Sequence, residues 1–138
     1  MNYEEQITHV NETNPFMIHN QIRAVGLTGD RASVEAKITK NSLNAMQRIH
    51  GGLMFVMAEV AAGLVTRNDG RRYVTLDSSF RFISGCGQAG RLTAEASITK
   101  RGRTLCFTRA RVWESESKKL LAEGEFTFYC LDGDRGIS

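Results

Sequence analysis

The spacing of apolar and polar residues predicts strands near both ends of the chain and one buried helix between them. Apolar positions alternate with a period of two over residues 18–27 and 31–38, on either side of a turn signal at Thr28-Gly29-Asp30. This pattern predicts a hairpin with one solvated face. Four more alternating stretches follow residue 70, and one face of each is formed by Val74, Leu76, Ser78, Phe80 and Phe82; by Leu92, Ala94, Ala96 and Ile98; by Cys106, Thr108, Ala110 and Val112; and by Ala122, Gly124, Phe126, Phe128 and Cys130.

Residues 51–66 are apolar on nearly every side of a helical wheel, which predicts a buried helix. The segment 67–70, Arg-Asn-Asp-Gly, supplies the basic residue and the glycine that end such a helix. A short polar helix is predicted over residues 3–11, before Asn14-Pro15. Residues 40–50 have no period and are predicted to be a loop, and the tail from Asp132 is predicted to be frayed.

Two strands, one buried helix and four strands, in that order, predict an α+β fold with the helix on one face of an antiparallel sheet. The connections at 85–87, 101–103 and 114–119 fit hairpins. A helix that is apolar all round needs cover on its far side, from a curled sheet, a partner subunit or both. With 138 residues, the chain is predicted to be one domain over 1–138.

Composition excludes several classes of protein. Lys and Arg number 18 and Asp and Glu number 15, so the net charge of +3 is too weak to argue for nucleic acid. The three cysteines lie far apart without a CxxC pair, which favours reduced thiols and a cytoplasmic location. The longest apolar run, residues 51–65, contains a glutamate and is too short for a membrane span.

No metal or nucleotide cofactor is predicted. The sequence has no paired Cys/His set and no phosphate-binding P-loop motif. Gly85, Gly87 and Gly90 spell GxGxxG, but a dinucleotide fingerprint must open a helix. Here the glycines lead into the alternating pattern of 91–99, so a turn between strands is the better interpretation.

Glu59 is the only charged residue between His50 and Arg67, in the middle of the predicted buried helix. A buried carboxylate is costly unless it is paired, hydrogen-bonded or protonated. One interpretation is that Glu59 faces water on a narrow stripe or pairs with an arginine such as Arg81. The other is that it serves as a general base or a nucleophile.

His50, Gly51 and Gly52 lie at the start of that helix, where unpaired N–H groups and a partial positive charge can polarise a carbonyl. Nine positions separate His50 from Glu59, which is roughly 13 Å along a helix axis. If the glycine amide and the carboxylate act on one carbonyl, they should therefore come from different subunits.

The pattern Asn44-x5-His50-Gly51-Gly52-x6-Glu59 resembles the signature of hotdog-fold acyl-CoA thioesterases of the PaaI-like, phenylacetate-degradation branch. Residues 75–82 are similar to that family's substrate-side strand, and residues 102–107 to the turn before its next strand. The resemblance implies a curved antiparallel sheet of about six strands wrapped around one long helix. It also implies a homodimer or homotetramer with the site between two subunits.

The resemblance implies hydrolysis of an acyl-CoA thioester to free acid and CoA. In that interpretation the Gly51 N–H polarises the thioester carbonyl, and Glu59 acts as general base or nucleophile. Asn44 orients water or substrate, and His50 lies near the thioester. Thr75 stands about where one branch of the family has a helper hydroxyl.

A departure from the family occurs at Gly63, because branches with a catalytic glutamate carry Ser or Thr one turn later. Met54 and Phe55 are expected to line the acyl pocket, and Gly52 is a further residue expected to bind the substrate. The residues expected at the CoA phosphates are Lys100, Arg101 and Arg103. A non-catalytic acyl-CoA-binding protein on the same fold is the alternative. A regulator would need a DNA-binding helix pair, and a related hydratase would need an Asp/His arrangement that the sequence lacks.

Overall fold

The computed structural model describes residues 1–87 and 89–133. Its elements are α1 (Tyr3–Thr13), α2 (Pro15–His19), β1 (Ile22–Leu27), β2 (Arg31–Lys37), α3 (Gly51–Thr66), β3 (Tyr73–Phe82), β4 (Arg91–Arg101), β5 (Leu105–Glu114) and β6 (Leu120–Cys130). Single turns of 3-10 helix lie at Lys40–Ser42 and Arg67–Asp69. Beyond Asp132 and Gly133, the predicted frayed tail lies outside the described residues.

The six strands form one curved antiparallel sheet in the order β1-β2-β4-β5-β6-β3, and α3 packs against it. The predicted α+β architecture and the bounds of the long helix are confirmed. Side chains of α3 and of the sheet share a core in which each fully buried Val, Leu, Ile, Met or Phe side chain contributes about 1.5–3 kcal/mol. Its fully buried members include Met57, Ala58, Ala61, Val65, Val34, Leu92, Val112 and Phe126.

Two β-bulges shift the faces that the alternation predicted. In β1 the register changes between Ala24 and Gly26, so Leu27 is buried where a strict period would expose it. In β3 it changes between Thr75 and Asp77, and Leu76, predicted to share a face with Phe80, is 56% exposed. A bulge adds one residue and reverses the side-chain alternation beyond it.

The connection after β3 differs from the predicted hairpin. β3 pairs with β6 at the edge of the sheet, and β5 and β6 separate it from β4. β3 and β4 are therefore not paired as a hairpin, whereas the turns at 101–103 and 114–119 do join paired strands. The glycines indicate a change of chain direction, but they do not show which strands pair on either side of it.

The amino-terminal segment forms two helices where one was predicted. Asn2 caps α1 by accepting from the Glu5 N–H, and Asn14 caps α2, which starts at Pro15. The Asn11 side chain ties α1 to β1 through paired hydrogen bonds with the backbone of Ala24, at 2.8 and 3.0 Å.

The predicted loop over 40–50 also contains local structure. The 3-10 turn at Lys40–Ser42 is followed by an antiparallel bridge between Leu43 and Ile49. The His50 N–H donates to the Ser42 carbonyl, which holds this loop beside the start of α3.

One edge of the sheet carries exposed apolar side chains. β3 is the last strand in the order, and Val74, Leu76 and Phe82 on it are all exposed. Unpaired, apolar edge strands invite pairing with another chain. Within residues 1–87 and 89–133, no helix combines the length and hydropathy that a bilayer span needs.

Candidate active site

The first turn of α3 presents a backbone N–H group without an acceptor in the described chain. His50 is the N-cap residue, and its Nδ1 atom accepts a 2.8 Å hydrogen bond from the Gly52 N–H. The Leu53 N–H donates to the His50 carbonyl. Among these three amides, the Gly51 N–H alone donates to no described residue. At the positive end of the helix dipole, it is suited to bind a carbonyl oxygen.

An aromatic ring lies directly beside this amide. A Cβ atom at position 51 would stand 3.0 Å from Cε1 of Phe82, so glycine permits the close approach. The Phe82 side chain is 59% exposed, and its ring centroid is 5.3 Å from that of Phe80. Phe82 was not among the predicted site residues. Alternation along a strand indicates on which face of the sheet a side chain lies, but it does not show that Phe82 contacts the start of α3.

Glu59 is half-buried and hydrogen-bonded. The Thr75 hydroxyl donates to Oε2 of Glu59 at 2.8 Å. Arg81, the alternative partner, instead contacts Glu123 on β6, with Nη1 and Oε2 3.4 Å apart. The bulge in β3 turns Thr75 toward the helix. The structure therefore joins Glu59 to a hydroxyl and places Arg81 elsewhere.

The Gly51 amide and the Glu59 carboxylate lie far apart within one chain. α3 is continuous from Gly51 to Thr66, and eight residues of helix span about 12 Å. The two groups therefore lie more than two helical turns apart along one protomer.

Asn44 organises the loop before α3. Its Oδ1 atom accepts from the N–H groups of Met46 and Arg48, at 2.9 and 3.2 Å. The backbone N–H of Asn44 donates to the Arg48 carbonyl at 2.7 Å. With Oδ1 used by the loop, the Nδ2 amide is the part of Asn44 that could donate to a substrate or a water molecule.

Two cations that sequence analysis missed lie near the amino-terminal end of α3. A Cβ atom at Gly85 would meet Nη2 of Arg48 at 2.7 Å, and Lys119 Nζ donates to the Gly85 carbonyl at 3.2 Å. The Ile49 N–H donates to the Cys86 carbonyl, which fixes this segment against the helix start. These contacts are long-range, so the sequence contains no local signal for them.

Arg101, predicted to meet CoA phosphates, instead closes the carboxyl end of α3. Its Nη1 donates to the Thr66 carbonyl and to Oδ2 of Asp69, both at 2.8 Å. Its Nη2 donates to the Val65 carbonyl at 3.2 Å and to Oδ1 of Asn68 at 2.9 Å. The guanidinium thus satisfies carbonyl groups that a helix terminus leaves unpaired.

The other two predicted phosphate ligands lie at the same end of the helix. Lys100 and Arg103 are exposed, and the Arg103 carbonyl accepts a 2.8 Å hydrogen bond from Nη1 of Arg71. Their contact with CoA stays a prediction.

Asp69 is the centre of the ionic cluster behind these residues. It accepts from Arg71 Nε at 2.9 Å, from the Tyr73 hydroxyl at 2.7 Å and from Arg101. Burial raises the pKa of Asp69, but the hydrogen bonds from Tyr73 and Arg71 and the charge of Arg101 outweigh it, and the net pKa is lowered. Burial, reinforced by the contact with Asp69, raises the pKa of Tyr73.

We expect Asp69→Asn to lower the free energy of unfolding by about 2–3 kcal/mol, because it removes the counter-charge of the Arg71 side chain, which is only 1% exposed. Since the folded pKa of Asp69 is lowered, its contribution is complete above its ordinary pKa of 3.8 and is lost as pH falls below it. Urea unfolding from pH 2.5 to 7 checks both effects. Asp30→Asn, at an exposed turn, is the control, and equal losses in both variants would contradict the prediction.

The other predicted substrate-binding residues, Gly52, Met54 and Phe55, have different environments. Met54 is buried in the core, so it does not line a surface site within the protomer. Phe55 is half-buried, with its ring centroid 5.3 Å from those of Phe80 and Phe126. A separate cavity of about 160 Å³ opens beside His50 and Gly52; its apolar lining residues are Phe16, Leu53 and Val56. The Gly52 N–H, bonded to His50, is not available to a ligand.

Comparisons with known proteins agree with this architecture. The model of the thioesterase superfamily matches residues 46–121. Human acyl-coenzyme A thioesterase 13 is 25% identical over 109 residues, which is 78% of this chain and 78% of that protein. The chain spans 66% of the length of a relative from Archaeoglobus fulgidus, with 27% identity over 103 residues.

Solved structures share the fold. A mutant of the phenylacetic acid degradation protein PaaI from Thermus thermophilus aligns with a TM-score of 0.80 and 24% identity, over 86% of this chain and all of that one. A hypothetical thioesterase from Streptococcus pneumoniae, solved with coenzyme A, aligns with a TM-score of 0.74 and 21% identity, over 93% of each chain.

One long helix wrapped by a curved six-stranded antiparallel sheet defines a hotdog-fold protein. The family match covers more than half of the sequence, and the chain belongs to the thioesterase superfamily.

Proposed function

We propose that the protein hydrolyses acyl-CoA thioesters to a free acid and CoA. The observation that carries this proposal is the Glu59 carboxylate, half-buried in an apolar helix and held by the Thr75 hydroxyl. A structural role does not require a carboxylate at this position. On a thioesterase fold, it fits a group that takes a proton from water or attacks a carbonyl carbon.

In this mechanism the Gly51 N–H donates to the thioester oxygen and stabilises the negative charge that develops on it. By one route, Glu59 accepts a proton from the water that attacks the carbonyl carbon. The tetrahedral intermediate then expels the CoA thiolate, which is protonated from Glu59. By the other route, the Glu59 carboxylate attacks the carbonyl carbon, the C–S bond breaks, and CoA leaves as a thiolate from an acyl-enzyme anhydride. Water then hydrolyses the anhydride, which releases the acid, restores the Glu59 carboxylate and supplies the proton that the thiolate takes up.

The residues around the helix start would orient the reactants. Because His50 Nδ1 accepts from Gly52, the neutral imidazole carries its proton on Nε2 and can donate it toward the thioester region. The Nδ2 group of Asn44 is a second donor beside the same turn. Thr75 would keep the carboxylate of Glu59 in one orientation.

The active unit would be a homodimer or a homotetramer. If the Gly51 amide and the Glu59 carboxylate act on one carbonyl, their separation along α3 favours a site shared with a second subunit. The exposed apolar edge of β3 is a surface on which such a subunit could pair. Glu59 of one subunit would then face the Gly51 amide of the other.

CoA and the acyl group would occupy different surfaces. The crystal structure of the streptococcal neighbour with coenzyme A supports a CoA site on this fold. The basic residues proposed to contact its phosphates are Lys100 and Arg103 at one end of α3, and Arg48 and Lys119 at the other. Phe55 and the exposed ring of Phe82 would contact the acyl chain.

The test is steady-state release of CoA thiol from aryl, medium-chain and hydroxylated acyl-CoAs, with p-nitrophenyl oxygen esters as the comparison. We expect turnover of at least one acyl-CoA and a lower kcat/KM for the oxygen esters. Tight binding of acyl-CoA without turnover would support the non-catalytic binder instead, and neither binding nor turnover would contradict both functions.

A further inference from the structure

A cavity of about 760 Å³ lies between α1 and the carboxyl end of α3. Leu64 and Arg67 line it at the end of α3, and residues 69–72 line it from the segment before β3. Four residues of α1 face it at spacings of three and four, which places them on one side of that helix: Gln6, His9, Val10 and Thr13. The volume is within the range of about 300–1,000 Å³ that small-molecule sites occupy.

Part of the wall of this cavity is apolar. Leu64 is buried in the core, and Val10 is partly buried and packs against the same core from α1. Pro15 adds a third apolar side chain at the start of α2. Apolar walls with a few polar groups are typical of sites that bind a molecule with an aliphatic or aromatic part.

Most of the polar side chains in the cavity wall already have partners. Arg71 Nε donates to Asp69 at 2.9 Å, and Arg72 Nη2 donates to Oδ1 of Asp132 at 2.7 Å. Side-chain hydrogen bonds are also made by Gln6, Thr13, Asn14 and Asn68. In the part of the chain that the structure describes, the polar side chains of this wall without a hydrogen bond or ion pair are Arg67 and His9.

The guanidinium of Arg67 lies against α3. A Cβ atom at Gly63 would lie 3.2 Å from Nη1 and 3.4 Å from Nη2 of Arg67, so the side chain folds back over this glycine. A guanidinium is a planar fork of donors that can bind a carboxylate through two parallel hydrogen bonds. His9 would add a donor from α1.

The charges in the cavity favour a ligand with one negative charge. Asp69 and Asp132 pair with Arg71 and Arg72, which leaves Arg67 as the arginine without a carboxylate partner among the described residues. A single unpaired cation matches a carboxylate. The phosphate groups of a nucleotide would need several cations.

We propose that this cavity binds a carboxylic acid with an aliphatic or aromatic tail. Arg67 would hold the carboxylate, and the tail would lie against Val10 and Leu64. The site goes beyond the proposed function, because Arg67 follows Gly51 by sixteen positions, which is about 24 Å along a helix. The acid that thioester hydrolysis would release belongs to the same chemical class.

The main experiment titrates nitrogen-15-labelled protein with sodium octanoate and follows the backbone amides by NMR. We expect saturable shifts of the amides within residues 6–13 and 64–72. Arg67→Gln should raise the Kd for octanoate by about 10-fold, because it removes a charge-assisted pair of hydrogen bonds, and Arg67→Lys should raise it less. Arg31→Gln, in an exposed pair with Glu95, is the matched control and should leave the Kd unchanged.

A second variant tests the charge of the ligand without changing Arg67. Gln6→Glu keeps the size of a side chain in the cavity wall and adds a negative charge. It should weaken the binding of octanoate by repulsion and leave the binding of octan-1-ol unchanged. Octan-1-ol lacks the charge and acetate lacks the tail, so each should bind wild type about 10-fold more weakly than octanoate.

Several results would overturn the inference. One is an equal Kd for octanoate in wild type, Arg67→Gln and Gln6→Glu, and another is binding of octan-1-ol as tight as that of octanoate. Stronger shifts of the same amides by coenzyme A or inorganic phosphate would assign the cavity to phosphate binding. Shifts confined to residues 50–52 would place the acid at the candidate active site. None of these measurements needs turnover, so they are independent of whether the protein is a thioesterase.

Discussion

Replacing Glu59 with Gln is expected to lower kcat for acyl-CoA hydrolysis by about 10³-fold, within the range for loss of a general base. Gln has the same shape, and its Oε1 atom can still accept the hydrogen bond from Thr75. It cannot take a proton from water or form an anhydride. KM should change little, because the substitution removes an interaction made in the transition state. Release of CoA thiol under steady-state conditions measures both constants.

The matched control is Glu125→Gln, on the exposed part of β6. It makes the same chemical change away from α3, and wild-type activity is expected. Circular dichroism and thermal unfolding of both variants exclude loss of fold as the cause. Equal turnover by wild type and Glu59→Gln would remove this carboxylate from the mechanism and leave the Gly51 amide as the chemical feature of the site.

The long helix could be predicted from sequence because its signals are local. Residues 51–66 are almost uniformly apolar, the glycines and His50 mark the start, and Gly70 adopts a left-handed conformation after the end. The single charge at Glu59 stands out against that background. The element most relevant to function was therefore identified with its bounds.

The residues that surround the helix could not be predicted in the same way. The bulge in β3 determines that Thr75 faces Glu59, whereas alternation grouped Val74 and Leu76 on the face of Phe80. The family resemblance, and not the periodic pattern, indicated the Thr75 hydroxyl. Its place in a basic turn predicted that Arg101 meets the CoA phosphates, whereas its guanidinium binds the Thr66 carbonyl and Asp69. Bulges and side-chain partners depend on long-range packing, which a periodic pattern does not contain.

The two ends of α3 differ in how their backbone groups are hydrogen-bonded. At the carboxyl end, Arg101 binds the carbonyl groups of Val65 and Thr66, and Asp69 anchors the cluster. At the amino end, His50 satisfies Gly52, but the Gly51 N–H has no described acceptor. The hydrogen-bonded carboxyl end stabilises the helix, which offsets the unpaired donor at the other end, and the proposed mechanism assigns that donor to the thioester oxygen.

Replacing Gly51 with Pro tests that donor, and kcat is expected to fall by about 10²–10³-fold, as for loss of an oxyanion-hole donor. Proline removes the N–H but suits the first helical position. His50 already has the extended conformation, with ψ of 131°, that residues before proline prefer. Gly51→Ala is the control: it adds a Cβ near the exposed ring of Phe82 but keeps the N–H, so a much smaller loss is expected. Equal losses would indicate steric interference.

Combining the two variants tests whether the site is shared. A heterodimer of Glu59→Gln and Gly51→Pro chains has two sites if each site is shared between the subunits. One site then combines the intact Glu59 of the second chain with the intact Gly51 of the first, and the other site contains both substitutions. Random assortment of co-expressed chains should then restore about a quarter of wild-type activity, because half of the dimers are mixed. Differently tagged chains allow the mixed dimers to be purified and assayed separately. If Gly51 and Glu59 of one chain acted together, the mixed dimers would be as inactive as the two parent homodimers. In that case a change in the helix itself would have to close the separation of about 12 Å along α3.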